Sequence, residues 1–171
     1  MKNFIEKKHM KGLDYIQKFR KYLDYLEEHL LNVMKAFNEL SEKCNKMWWV
    51  KDDVAWHTLR QQVCYHDISK FSPEEFIEYQ RAFFPVDEKE NLKNAWEHHK
   101  NNNTHHHESL KDDLDVVHMV IDWIAMGYKF GDTAKEYYEN NKDRIKLNDR
   151  QKKIMYEIFN NMYVKKFEVE E

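Results

Sequence analysis

This sequence predicts an all-α fold, about six to seven helices in a single domain. Three observations carry that expectation. Only three glycines and two prolines interrupt 171 residues, so the chain lacks the turn density of an all-β protein. Charged residues reach 35% and aromatics 15%, which supplies helix formers for a surface and bulk for a core. Apolar residues recur at three- and four-residue steps over most of the length. A chain of this size buries roughly 70% of its unfolded surface as one domain. No repeat, low-complexity tail or linker marks a second domain. The single domain is therefore set at 1–171, with a core over about 22–128 and covering helices over 129–171.

From Phe4 to about Met47, residues such as Ile5, Leu13, Ile16, Leu23, Leu26, Val33, Phe37 and Leu40 keep helical phase. They define one long amphipathic helix, or two with a break near Gly12. Glu27, Glu28 and Lys35 belong to its wet side. Asp52 or Asp53 caps a second helix carrying Val54, Leu59 and Val63 and reaching towards Ile68. His66 and Lys70, four apart, share a face of that helix, with Asp67 turned about 100° away. Ser72-Pro73-Glu74-Glu75 then reads as a helix start, with Ser at N-cap, Pro at the first helical position and Glu75 completing a capping box. That helix carries Phe76, Ile77 and Tyr79 and stops at Pro85. Asp87 caps the next, with Leu92, Ala95, Trp96 and His99 in phase. The polar run from Asn101 to Glu108 is a loop. Leu114, Val117, His118, Ile121, Ile124 and Ala125 define a further helix with Gly127 as its C-cap. Asp132 to Asn141 and Asp149 to about Val164 complete the set.

Composition excludes several functions. Cys44 and Cys64 lie in apolar-periodic segments without a CxxC partner, and read as reduced core residues. The formal net charge is −3 and no polybasic block stands out, so duplex nucleic acid is not indicated as a partner. No run of 18 apolar residues and no leader pattern point to a membrane. The expected location is the cytoplasm, or the host cytoplasm for a phage-encoded protein. Without a Gly-rich phosphate loop, P-loop nucleotide chemistry is not expected.

The chemistry-bearing residues are imidazoles and carboxylates. His66-Asp67 is an adjacent pair at the end of an apolar run, His29 lies in phase with Leu26 and Val33, and Asp122 stands between Ile121 and Trp123. His98, His99, His105, His106 and His107 cluster further along. These ligand types suit divalent first-row metals, and a carboxylate can bridge two ions. The bland readings are a capping Asp67, hydrogen-bonded core histidines, an Asp122 paired with Arg60 or another arginine, and a surface Lys70.

The ordered series His29, His66-Asp67, His99, His105 or His106, and Asp122 resembles the HD-domain superfamily of metal-dependent phosphohydrolases, and His66-Asp67-Ile68-Ser69-Lys70 looks like its HDxxK variant. More narrowly, His66 to Phe71, Ala95 to His99 with Asn103 to Glu108, and Asp122 to Met126 are similar to an uncharacterised bacterial and phage family, over about His29 to Tyr138. The resemblance implies a helical bundle. It implies a first metal held by His29, His66, Asp67 and Asp122, and a second reached by Asp67 and held by His99 with His105 or His106. His99 stands only six or seven positions before His105 or His106, closer than in the two-metal enzymes. Manganese, iron, cobalt, nickel or zinc would serve, with magnesium as a further option. A metal-activated water would then hydrolyse a small phosphorylated substrate, a nucleotide above all. Asp67, Lys70 and Glu108 would be the catalytic residues, and Lys70 and His107 would contact substrate. Two alternatives stand beside this reading. One is a di-iron HD-type oxygenase. The other is a non-catalytic metal-binding or interaction protein, phage-encoded in one version, whose histidines bind a structural metal or none and whose exposed aromatics such as Tyr137 and Tyr138 serve a partner. Trp48, Trp49, Trp56 and the Phe83-Phe84 pair form either a pocket lid or a homodimer face.

Overall fold

The computed structural model describes residues 11–87 and 92–163. Among these residues there are eight α-helices and no strand: α1 (Lys11–Lys43), α2 (Trp48–Lys51), α3 (Asp53–Cys64), α4 (Phe76–Phe83), α5 (Lys93–Asn102), α6 (Asp113–Phe130), α7 (Ala134–Asn141) and α8 (Asp149–Met162). A 3-10 turn covers Ile68–Phe71 between α3 and α4. The fold is all-α, as the sequence predicts. Ile5 and the end proposed near Val164 lie outside the described residues.

Among the described residues α1 is continuous from Lys11 through Gly12, and the residues before Lys11 lie outside them. The buried stripe of α1 is Tyr22, Leu26, His29, Val33, Ala36 with Phe37, and Leu40, steps of three and four that keep one face inward. Leu23 and Ile16, expected on that stripe, lie off its phase and are exposed. Tyr22 takes the buried place instead.

The described residues cluster into two compact units, one of residues up to Leu30 with Asp67–Asn103, the other of Leu31–His66 with the chain from Thr104 onward. Each has its own core. In the first, Tyr22, Leu26, Tyr79 and Ala95 are buried, with Tyr25, Phe76, Phe84 and Leu92 packed on them. The Tyr22 and Phe76 rings meet edge to face at 5.2 Å, a favoured aromatic geometry. Here α4 packs on α5 and on the 3-10 turn.

The second core is larger and is built on α6, where Asp115 to Ile121 are all buried. A helix that is apolar all round must be covered on every side, and α6 packs against α3, α7 and α8. Val33, Phe37, Leu40, Trp49, Leu59 and Val63 belong to the same core. Asp52 caps α3 by accepting from the Ala55 N–H at 2.9 Å. That start sets the phase in which Ala55, Leu59 and Val63 are buried, and it leaves Val54 exposed. Trp49 is fully buried in α2 while Trp48 is exposed, and Tyr138 is buried, which withdraws it from any partner surface. Cys44 is buried and Cys64 is exposed. Cys64 therefore is not a core residue; burial pushes the Cys44 thiol up to about 11.

Gly127 is an interior residue of α6, not its end. A Cβ there would stand 2.3 Å from the Asp132 carbonyl oxygen, so the returning backbone requires a glycine at this point. The C-cap is Gly131, in the left-handed region at φ 85°. Asp112, Thr133 and Asn148 start α6, α7 and α8 with reciprocal capping boxes.

Candidate metal-binding groups

The helix carrying Val63 ends at Cys64, before the histidine-aspartate step. Asp67 follows in the left-handed conformation, φ 55° and ψ 20°, alone among described non-glycine residues. That conformation costs about 1–2 kcal/mol for an L-residue, least for Asn and Asp. It ends helical continuity, so His66 and Lys70 do not share a helical face. The chain turns instead, the Lys70 N–H bonds the Asp67 carbonyl, and Lys70 Nζ returns to Asp67 Oδ2 at 2.5 Å. Lys70 is buried, so it is not a surface lysine.

In the first unit two imidazoles face this buried carboxylate. His29 Nε2 lies 3.4 Å from Asp67 Oδ2, and His99 Nε2 lies 3.2 Å from Asp67 Oδ1. Behind His99 stands Glu75, fully buried. Its Oε2 meets His99 Nδ1 at 2.8 Å and its Oε1 meets His98 Nδ1 at 2.6 Å. The expected capping box at Glu75 is therefore absent: α4 begins at Phe76, with Glu75 in the N-cap place and no side-chain cap. Its carboxylate turns inward to the two imidazoles. Similarly α5 begins at Lys93 after Leu92, and Asp87 pairs with Lys11; residues 88–91, which a cap at Asp87 would serve, lie outside the described residues.

The two ring nitrogens of His99 thus face two buried carboxylates, Nδ1 towards Glu75 and Nε2 towards Asp67. The negative field is felt nearby. Burial first, then Glu75 and Asp67, hold the Tyr79 phenol far above its ordinary value, and burial followed by the same two carboxylates does so for Tyr22. Asn103 ends α5, giving its amide N–H to Ser69 Oγ at 2.7 Å and to the His99 carbonyl at 2.8 Å.

The second unit holds a group of imidazoles. His66 Nδ1 and His118 Nε2 are 3.0 Å apart. The His105 ring stacks on His66 with centroids 4.4 Å apart and lies 4.6 Å from that of His118. These three buried residues offer ring nitrogens all within 4.8 Å of one another. Asp122, one turn beyond His118 on α6, places Oδ1 3.6 Å from His66 Nε2, and the His106 ring is 4.4 Å from that of His105. Asp122 thus meets an imidazole, while Arg60 lies over Trp56.

The histidine loop is irregular, as expected, yet His105 and Asn103 are buried. What holds its second-unit part is Asp115, which accepts from Thr104 Oγ1, from Gln62 Nε2 at 3.3 Å, and from the Lys111 N–H at 2.8 Å. His107 and Glu108 form a more exposed pair 3.6 Å apart.

Sequence reasoning gives no such role to three residues that these groups use, Glu75, Asp115 and His118, and it names His98 only among the clustered histidines. Only His118 carries a sequence signal, its place four residues before Asp122 in the least polar helix. Imidazole and carboxylate donors, buried and in mutual reach, can hold a divalent metal ion. No helix among the described residues is long and apolar enough to cross a membrane.

No curated protein and no solved structure matches the chain. The model of a family of unknown function, DUF5662, matches residues 18–166, a span that holds every residue of both groups, and the chain belongs to that family.

Proposed function

We propose that this protein is a metal-dependent phosphohydrolase acting on a small phosphorylated molecule, a nucleotide above all. The observation that carries the reading is Asp67: a buried carboxylate in a costly backbone conformation, between two imidazoles and a buried lysine. Strain of this kind persists where the surroundings enforce it, and it clusters at functional sites. The order of the histidines and aspartates along the chain supplies the reaction class by resemblance to HD-type enzymes.

In the first unit the residues that would hold metal are His29, Asp67 and His99. In the second they are His66, His105 and Asp122, with His106 beside them. When bound, a divalent metal supplies Lewis acidity towards phosphoryl oxygens and a water of lowered pKa. Lys70 holds the Asp67 carboxylate in place and adds a positive charge for a substrate phosphate, as a compact point charge rather than a fork. Glu75 keeps the Nε2 of His99 turned to Asp67. His107 and Glu108 are accessible enough to carry a proton to or from solvent.

A screen of nucleotides and sugar phosphates with manganese, cobalt or zinc tests the proposal. The wild type is expected to release phosphate, chelation to stop it, and Asp67→Ala to lower turnover at least about 1000-fold, a loss of ~4 kcal/mol of barrier stabilisation. Undiminished turnover in that variant contradicts the mechanism. An iron-dependent absorption band without phosphate release favours the di-iron oxygenase instead. Tight partner binding that ignores chelators favours the interaction protein.

A further inference from the structure

We infer that His118 is a metal ligand, and that His66, His105 and His118 form a three-imidazole site for a first-row transition metal rather than for magnesium or calcium. The inference rests on the metal-binding part of the reading above and not on phosphohydrolysis. It also changes the ligand set, because the ordered series in the sequence contains no place for His118.

The three residues come from separate stretches of the second unit. His66 follows the end of α3, His105 belongs to the loop held by Asp115, and His118 lies in the second turn of α6. Each is about 3% exposed. His118 has Val117 and Met119 as neighbours within a run that is buried throughout. Three buried imidazoles packed ring to ring bring two ring nitrogens each into this apolar surrounding, a compact set of donor atoms. The His66–His118 pair uses one nitrogen from each ring, and a single hydrogen satisfies both. Neutral imidazoles also present lone pairs, and three within 4.8 Å of one another match the imidazole-rich set of zinc and its neighbours.

The donor chemistry selects the metal. Magnesium and calcium favour oxygen ligands, and magnesium dehydrates reluctantly. Nitrogen donors favour cobalt, nickel, copper and zinc. Asp122, 3.6 Å from His66 Nε2, orients that ring or adds one oxygen, and neither role makes the site oxygen-rich.

Full-length apoprotein titrated with zinc against a chromophoric chelator provides the test, using wild type, His118→Gln and a control, His57→Gln, whose residue is exposed on α3. The expected result is a loss of affinity beyond the 10- to 100-fold typical of residues that only orient ligands for His118→Gln, no change for His57→Gln, and no competition from millimolar magnesium. Unchanged zinc affinity in a folded His118→Gln protein overturns the inference. Should that variant not fold, wild-type protein with 15N-labelled histidine and loaded with 113Cd decides. Cadmium–nitrogen coupling to the His66, His105 and His118 rings is expected, and none at His118 overturns it. A protein that couples cadmium at His118 yet hydrolyses nothing keeps this inference and removes the phosphohydrolase reading. Turnover with an uncoupled His118 does the reverse.

Discussion

A carboxylate that accepts from two successive imidazoles fixes both rings, and Glu75 does this with no exposure to water. Charge-assisted bonds of this type contribute about 1.5–3 kcal/mol each, and a buried group left unpaired costs about as much. Glu75→Gln replaces one accepting oxygen with a donor, so one of the two imidazoles must turn or change tautomer. The expected outcome is a destabilisation of ~2–3 kcal/mol by urea unfolding of the apoprotein and a 10- to 100-fold loss of metal affinity by titration. A variant with wild-type metal affinity would make Glu75 a purely structural residue. The sequence conceals this role, because Ser72-Pro73-Glu74-Glu75 satisfies every local rule for a helix start. The competing partners, His98 and His99, lie more than 20 residues away, and only tertiary structure brings them to Glu75. His29 was legible for the opposite reason. Its place follows from the phase of its own helix, a local property.

Elements were legible where one side of a helix had to be dry and the other wet. The α1 stripe from Leu26 to Leu40, the cap of α3 at one of two neighbouring aspartates and the two closing helices follow from period and caps, whereas Ile16 and Leu23 fall off the stripe. The misses are departures from helical continuity. Asp67 enters the left-handed region and ends the phase that links His66 to Lys70. At α6 two glycines compete as terminators. The earlier one, Gly127, serves a close backbone approach, and the later one, Gly131, serves the cap. Within the second unit α1 and α6 are tied by Glu39, which accepts from Lys43 at 2.6 Å and from the Tyr128 hydroxyl. The Lys43 bond first, then the Tyr128 bond, hold the Glu39 carboxyl below its ordinary value of 4.5. A depressed carboxyl stabilises the fold above its unfolded value, and that stabilisation is lost as pH falls through the folded value. Glu39→Gln is therefore expected to cost ~0.5–1 kcal/mol at pH 7, discounted for its partial exposure. The difference from wild type should shrink steadily below about pH 4.5 in pH-dependent urea melts. A gap that is constant or grows towards acid would contradict the assignment.

At the scale of the molecule, the all-helical class was legible because so few glycines and prolines interrupt the chain. The burial of the histidine loop was not. A stretch as polar as Asn101 to Glu108 reads as solvated, and it is Asp115, a residue of the following helix, that gathers Thr104 and the Lys111 backbone to hold the loop in place. The chain passes from one unit to the other at the His66–Asp67 peptide bond, so a single short motif contributes to both groups of candidate ligands. Every role proposed for these groups requires that they bind metal. The most direct measurement is the metal content of untagged, purified protein by elemental mass spectrometry, beside the Asp67→Ala variant. The account predicts one or two equivalents of manganese, iron, cobalt, nickel or zinc in the wild type, with a loss in the variant. No metal in either protein, even after reconstitution, would contradict it and reduce the histidines to hydrogen-bonded core residues.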